Sequence, residues 1–188
     1  MNEGTEKNKT ISGRKKRIIM LDILRERRSI RRYKDREIET EKINLLKEAA
    51  LRSPSSRGIN SWRFLFVTDK TNLEELSRAK ESGSSFLKGA SLGVVVCAAQ
   101  EESDVWVEDC SIASIILQLA GQSLGLGSCW IQIRKRMHSS NLTSEDYIKR
   151  VLSLPENLSV LSMIAFGYPD EDKRPVPKEQ LEYEKILI

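Results

Sequence analysis

The chain has 188 residues, 39% of them apolar and 31% charged, with a formal net charge of +4. That length fits a single domain of ordinary soluble composition, and the mild basic excess does not by itself demand a nucleic acid or a membrane surface. No apolar run approaches the roughly 20 residues of a membrane-spanning helix. The apolar patch at 18–23 is broken by Asp22 and is too short for a signal-peptide core, so a cytoplasmic location is expected.

Residues 1–19 are polar and charged with no periodicity, and read as a flexible arm preceding one domain over 20–188. "LDILRER" is a short amphipathic helix. "TEKINLLKEAALRS" is a clearer one, with Thr40 as cap and Ile43, Leu46 and Ala50 at helical spacing. A Pro/Ser/Gly loop follows. "WRFLFVT" reads as a strand from its aromatic and β-branched content, and "TNLEELSRAK" as a helix with Thr71 and Glu74 at capping-box spacing. "LGVVVCAA" is an unbroken apolar run, hence a buried strand. Residues 104–125 form a long helix, apolar nearly all round in its second half, so part of its surface is expected to meet a second subunit. Gly125 and Gly127 end it. "SCWIQI" is a strand, "TSEDYIKRVLSL" a helix capped by Thr143, and "LSVLSMIAFGYP" the longest strand. The tail is charged but ends in an apolar "ILI". Taken alone, this alternation predicts helices flanking a parallel sheet.

Several chemistries are disfavoured. Cys97, Cys110 and Cys129 are odd in number and widely spaced, so neither a disulfide framework nor a CxxC pair is present. With His138 they make one Cys3His set, but without the close ligand pairs of a structural zinc site; buried thiols and no metal are the simpler reading. His138 is the only histidine and lies in a polar stretch, "RKRMHSSNLTSED". A nucleophile–histidine site would have to use it. The hard step of any reaction is therefore expected to fall to something other than side-chain acid–base chemistry.

Three stretches carry candidate chemistry. "RERRSIRRYKD" packs five arginines and a lysine into eleven residues. Guanidinium forks suit phosphate. On an extended segment Arg27, Ser29 and Arg31 share one side, and Arg28 and Arg32 the other. A solvated basic face or a weak nucleic-acid patch explains the same residues. "SPSSRGINSW", at 53–62, can aim hydroxyls and amides at a planar polar ligand, or simply connect a helix to a strand. "GLGSCWIQI", at 125–133, lets backbone approach a ligand closely. It lacks the GxGxxG pattern of the dinucleotide fingerprint, and helix capping accounts for both glycines.

In this order and at these distances, the motifs resemble the FMN-dependent nitroreductases. "RRSIRRY" is similar to that family's opening segment, "SPSSRGINSWRFLFV" to its Pro-Ser…Trp-x-Phe segment, "EDCSIASIILQLAGQSLGLGSCWI" to its Asp-bearing long helix and Gly-Leu-Gly turn, and "FGYPDEDKRP" to its closing Gly-Tyr-Pro segment. The resemblance implies an α+β fold, a mixed and mostly antiparallel sheet surrounded by helices, built as an intertwined homodimer with FMN at the subunit interface. By position it implies that Arg27 and Ser29 meet the FMN phosphate and ribityl chain, with Arg28 acting mainly through backbone. Arg31 would reach the ribityl and the pyrimidine edge. Pro54, Ser55 and Ser56 would approach from the other subunit. Asn60 and Ser61 stand where the family usually has glutamine and proline. Trp130, Ile131 and Gln132 would face the ring, Lys173 or Arg174 would meet the phosphate, and Lys88 would lie near a flavin carbonyl.

The resemblance further implies an NAD(P)H-dependent oxidoreductase with a ping-pong cycle, taking NADH or NADPH as donor and a small-molecule acceptor such as a nitroaromatic or quinone. It needs no catalytic histidine, because the cofactor carries the hydride chemistry. The short stretch between Ala99 and Asp104 leaves little room for a lid, so a shallow, permissive pocket is expected. Flavin fragmentation or reductive dehalogenation, by relatives sharing the opening motif, and a colourless, basic nucleic-acid-binding module are the alternatives.

Overall fold

A computed structural model describes residues 20–187. The arm expected over 1–19 lies outside the described residues. The elements run α1 (Met20–Glu26), α2 (Thr40–Leu51), β1 (Trp62–Val67), α3 (Lys70–Ser77), β2 (Leu92–Ala99), α4 (Trp106–Ser123), β3 (Gly127–Gln132), β4 (Met137–Ser139), β5 (Leu142–Thr143), α5 (Ser144–Leu152) and β6 (Leu158–Gly167).

Four strands form the central sheet in the order β1-β2-β6-β3, and every neighbouring pair is antiparallel. Trp62 faces Ala98, Leu92 faces Phe166 and Gly127 faces Gly167. The parallel sheet predicted from alternation alone is therefore wrong, and the antiparallel sheet implied by the resemblance is right. Alternation fixes which elements exist; it does not fix direction, because a helix with loops can return the chain either way. Here β6 inserts between β2 and β3, which no local pattern encodes. A parallel contact occurs at the isolated bridge between Ser29 and Ser128. β4 and β5 form a small separate hairpin that the sequence reading did not contain.

β2 and β6 are the inner strands and are buried on both faces, which is why they read as continuous apolar runs. Successive side chains of β2 alternate between two cores. Val95 and Cys97 face α3 and α5 with Leu73, Leu76 and Ile148; Val94 and Val96 face α2 and α4 with Leu46, Ala50 and Leu117. α4 comes close enough to the sheet only because residue 121 is glycine. A Cβ there would lie 2.6 Å from the Phe166 ring.

Helix ends separate two predicted caps from the observed ones. Thr143 caps α5 as expected, accepting from the Asp146 amide at 3.0 Å. α2 begins at Thr40 itself, with Glu39 in the cap position and no side-chain cap bond. In α3, Asp69 accepts from the Asn72 amide at 2.8 Å, two residues before the expected Thr71–Glu74 box. Asp is at least as good a cap as Thr, and it comes first. Gly125 (φ +75°) closes the chain after α4, whereas Gly127 opens β3 rather than ending the helix. α4 buries Cys110, Ala113, Leu117 and Gly121 but leaves Ile112 and Ile115 about 40% exposed. Among the described residues no helix is long and apolar enough to cross a membrane, and no group of three or more His, Cys, Asp or Glu is placed to hold a metal.

Candidate functional site

The segment after α1 is stitched along the outer edge of β3. The Ile30 amide donates to the Ser128 carbonyl (2.9 Å), and Ile30 sits against Gly127, where a Cβ would be 2.8 Å from the Ile30 side chain. Three residues on, the Lys34 amide donates to the Tyr168 carbonyl and the Asp170 amide to the Arg32 carbonyl, so residues 32–34 pair with the chain leaving β6. Tyr33 locks the intervening turn. Its hydroxyl donates to the Ile30 carbonyl at 2.5 Å, and its ring fills the space over Gly167.

This stitching sorts the arginines. Arg27, Ser29 and Arg31 gather round Cys129, together with Lys173: burial pushes the thiol up, while Arg31, a hydrogen bond with Ser29, Lys173 and Arg27 pull it back. Arg28 turns the other way and donates to the Arg174 carbonyl. Lys173 Nζ donates to the Ser29 carbonyl at 2.6 Å. Among the described residues, none of Arg27, Arg28, Arg31 and Arg32 forms a salt bridge. Among the described residues, the acid bound into the cluster is Glu171. It accepts from the Arg31 amide (2.5 Å) and the Arg32 amide (3.3 Å) and lies 3.2 Å from Lys173. The Arg31 amide foremost, against a smaller opposing effect of burial, holds its carboxyl below the usual range. A cleft of about 220 Å³ opens on the Arg28 side of the cluster, between Arg28, Ile30, Gly127, Glu171 and Lys173. The Arg31 guanidinium lies 5.8 Å from the Phe86 ring centre, on the turn that also carries exposed Lys88. Arg174 contributes its carbonyl, and its side chain is exposed.

β3 is an edge strand, and its backbone polarity alternates. Ser128 turns its carbonyl outward to Ile30, while Ile133 turns its amide inward to Leu161. By the same alternation the amides of Trp130 and Gln132 point out from the open edge. Ile131 points its amide toward β6 and buries its side chain. Trp130 Nε1 donates to Gln132 Oε1 (3.1 Å), and Gln132 Nε2 donates to the Arg134 carbonyl (3.0 Å), so both side chains are held off that edge.

The loop at 53–61 lies elsewhere. It leads into β1, at the opposite edge of the sheet and the opposite end from Ser128. Three strand spacings separate those edges, on the order of 14 Å. One chain therefore does not bring Pro54, Ser55, Ser56 and Asn60 to the arginine cluster. The loop is rigidly built. Ser55 Oγ donates to Asn60 Oδ1 (2.8 Å) and accepts from the Asn60 amide (2.9 Å). Arg57, Gly58 and Asn60 all have φ between +54° and +68°. The Ser56 amide donates to Asp109 Oδ1 on α4 at 2.9 Å, and Arg57 pairs with Asp104. Asn60 is thus engaged within its own loop. Residues 100–105 carry one short 3₁₀ turn, pinned by Arg57–Asp104 and Arg63–Glu102, with no lid helix.

His138 is remote from all of this. Its ring stacks on Tyr147 at 4.0 Å, and its Nδ1 lies 2.8 Å from the Arg78 carbonyl. The cysteines are free and buried. Sequence reasoning did not single out Glu171, Tyr33 or Asp109 as site residues. Glu171 and Tyr33 each had a local signal, as one of three acids before a basic pair and as the aromatic closing the arginine run, and Asp109 stands with Glu108 at the start of an otherwise apolar helix.

The Nitroreductase family profile matches residues 24–86 and 75–168. A solved structure of an FMN-dependent nitroreductase from Clostridium difficile R20291 superposes with a TM-score of 0.88 at 44% identity, covering 89% of this chain and 98% of that one. A protein of Archaeoglobus fulgidus with the provisional name NADH dehydrogenase/NAD(P)H nitroreductase is 36% identical over 157 residues, 81% of this chain and 87% of its own length. A Methanothermobacter thermautotrophicus protein of the same provisional name is 33% identical over 168 residues, 86% of this chain and 83% of its own. The chain belongs to the nitroreductase family.

Proposed function

We propose that this chain binds FMN in the cluster at β3 and, as an intertwined homodimer in the cytoplasm, passes reducing equivalents from NADH or NADPH to an acceptor such as a nitroaromatic or quinone by a ping-pong cycle. The observation that carries the reading is the set of guanidinium groups, without carboxylate partners among the described residues, beside an open strand edge. Four arginines of like charge held within six residues repel one another unless an anion joins them. A phosphate monoester supplies nearly two negative charges and several acceptor oxygens. The residues present fit that group.

Each residue then has a task. Arg27, Ser29 and Lys173 bind the phosphate. Lys173 is preferred to Arg174 because its ammonium already lies at the Ser29 carbonyl. Arg28 ties the segment to the C-terminal chain. Arg31 reaches the ribityl chain and the pyrimidine edge, with Lys88 on the adjoining turn. A cation there favours a reduced, anionic flavin. The outward amides of Trp130 and Gln132 orient the ring, and Ile131 anchors their strand in the core. When bound, FMN supplies the hydride and electron chemistry. The protein's part is to bind, orient and leave one face open to donor and acceptor in turn, and the short 100–105 turn supports a shallow pocket.

The distance between the two halves of the candidate set supports a second copy. Pro54, Ser55 and Ser56 reach a flavin only if they come from a partner. The exposed apolar residues supply the surface for it: Ile112 and Ile115 on α4, Leu45 and Leu51 on α2, and Leu181, Tyr183 and Ile186 in the tail. Basic side chains tied to backbone carbonyls, as Arg28 and Lys173 are, suit a bounded anion better than a nucleic-acid surface.

The test is purification and a steady-state screen. The expected protein is yellow, carries one FMN per chain, and gives parallel double-reciprocal lines for nicotinamide against acceptor. A colourless protein that stays apo in excess FMN, or intersecting lines, refutes the respective part.

A further inference from the structure

We infer that Asp109 is a positioning residue for the flavin site. It acts from the interior of α4 by fixing the 54–58 loop that the partner's cofactor would meet. The inference rests on the FMN reading above and adds a residue that touches neither cofactor nor substrate.

Asp109 is 3% exposed on the inward face of α4, between Cys110 and the apolar residues packed on the sheet. Among the described residues it has no cationic partner, and its Oδ2 is buried without a hydrogen bond. Burying a carboxylate in this way costs stability, and an apolar residue would pack the helix better. What the carboxylate does is accept the Ser56 amide through Oδ1 at 2.9 Å. A breach of local packing rules is expected where a site needs it.

The loop needs such an anchor. Three of its residues hold left-handed backbone conformations, two of them, Arg57 and Asn60, not glycine. Conformations of this kind persist only where the surroundings over-determine them. Ser55–Asn60 closes the loop on itself, and Arg57–Asp104 fastens its outer side at the surface. The Asp109–Ser56 bond is the internal fastening. It fixes the backbone at Ser56, which with Pro54 and Ser55 is expected to face the ligand. Asp109 lies in the first turn of α4 and Asp104 in the turn just before it, so the helix that would present Ile112 and Ile115 to a second copy also sets the loop that this copy's cofactor would meet.

The test compares Asp109→Ala with Asp109→Asn in the full-length protein. Readouts are FMN titration by fluorescence quenching, the visible circular dichroism of bound FMN, and hydrogen exchange over 54–60 in the apo protein. Asn keeps the acceptor for the Ser56 amide, and Ala removes it. Loss of a charge-assisted hydrogen bond predicts an FMN dissociation constant raised about tenfold or more in Asp109→Ala, with an altered dichroic band and faster loop exchange, and restoration to within about threefold in Asp109→Asn. A helix that was merely less stable would lower the melting temperature without moving the dichroic band. If Asp109→Ala does not fold, Ser56→Pro deletes the same bond from the donor side and must give the same loss. Unchanged FMN affinity in the Ala variant, or an Asn variant as impaired as Ala, overturns the inference. Wild-type protein that binds no FMN overturns the functional reading itself, and the inference with it.

Discussion

Gly127→Ala tests whether the arginine segment is positioned by contact with β3. A Cβ at 127 would stand 2.8 Å from Ile30 Cβ and 2.9 Å from its Cγ1 and Cγ2. These atoms are fixed close to the Ile30 backbone, so no rotamer change relieves the clash. The segment must retreat by about 0.6 Å or more to reach ordinary contact. Ile30 lies between Ser29 and Arg31, and its amide bond to Ser128 holds the strand edge, so that retreat loosens both. Overpacking costs ~1–3 kcal/mol, and a weakened backbone bond adds ~0.5–1.5 kcal/mol. The expected loss is therefore about 2–4 kcal/mol, a fall in melting temperature of roughly 5–15 °C for a chain of this size. FMN affinity should drop about tenfold, because Arg27, Ser29 and Arg31 no longer share one geometry with Lys173. Thermal unfolding of the apo protein and an FMN fluorescence titration measure both effects. Gly125→Ala is the control. It lies two residues away with φ +75° and open space around its Cβ, so it should cost about 1 kcal/mol of backbone strain and leave FMN binding unchanged. A Gly127→Ala protein that melts with the wild type and binds FMN equally well would refute the claimed contact.

The remaining predictions concern the cluster and the proposed dimer. Arg31→Ala should raise the FMN dissociation constant about tenfold or more, and Arg32→Ala less than about threefold; equal losses in a titration would contradict the sorting of the two. Glu171 is held below its ordinary range, so the stability it contributes is present above the unfolded value of about 4.3 and is lost as pH falls through the depressed folded value. In urea unfolding, the wild type's advantage over Glu171→Gln should be full at neutral pH and shrink on acidification; an advantage independent of pH argues against the assigned contacts. Ile115→Asp, at an exposed face of α4 with no role in this chain's own core, should convert dimer to monomer in sedimentation and lose FMN together with the partner's loop. A variant that stays dimeric and yellow places the interface elsewhere.

How much of this was legible depended on whether the deciding contact was local. β2 was bounded correctly because a strand buried on both faces leaves a continuous apolar run, and Thr143 was a recognisable cap because the residue it binds is three positions away. Direction in the sheet was not legible from pattern, since it rests on β6 lying between β2 and β3. The motif resemblance brought the antiparallel fold within reach where periodicity did not. In the site, the basic run could be read as an anion site, but its counter-charge could not. Glu171 reaches the Arg31 amide across 140 positions of sequence. Asp109 entered the sequence reading only as part of a segment similar to an Asp-bearing helix, and its contact with the Ser56 amide appears only in the fold.

The choice between Lys173 and Arg174 shows where that boundary falls. The chain after β6 is anchored past residues 32–34 by the Tyr33–Pro169 bridge and the Asp170–Arg32 hydrogen bond, and bends at Glu171. Glu171 and Lys173 meet each other and the cluster, while Arg174 is exposed and offers Arg28 its carbonyl. Composition favours Arg174, since guanidinium binds phosphate in a fork that ammonium lacks. The contacts favour Lys173, whose ammonium lies at the Ser29 carbonyl, and on that ground the phosphate is proposed to be its partner. Moving the arginine is therefore more informative than removing it. Exchanging the pair, Lys173→Arg with Arg174→Lys, should hold or improve FMN affinity, whereas Lys173→Ala should lose at least about tenfold even with Arg174 intact.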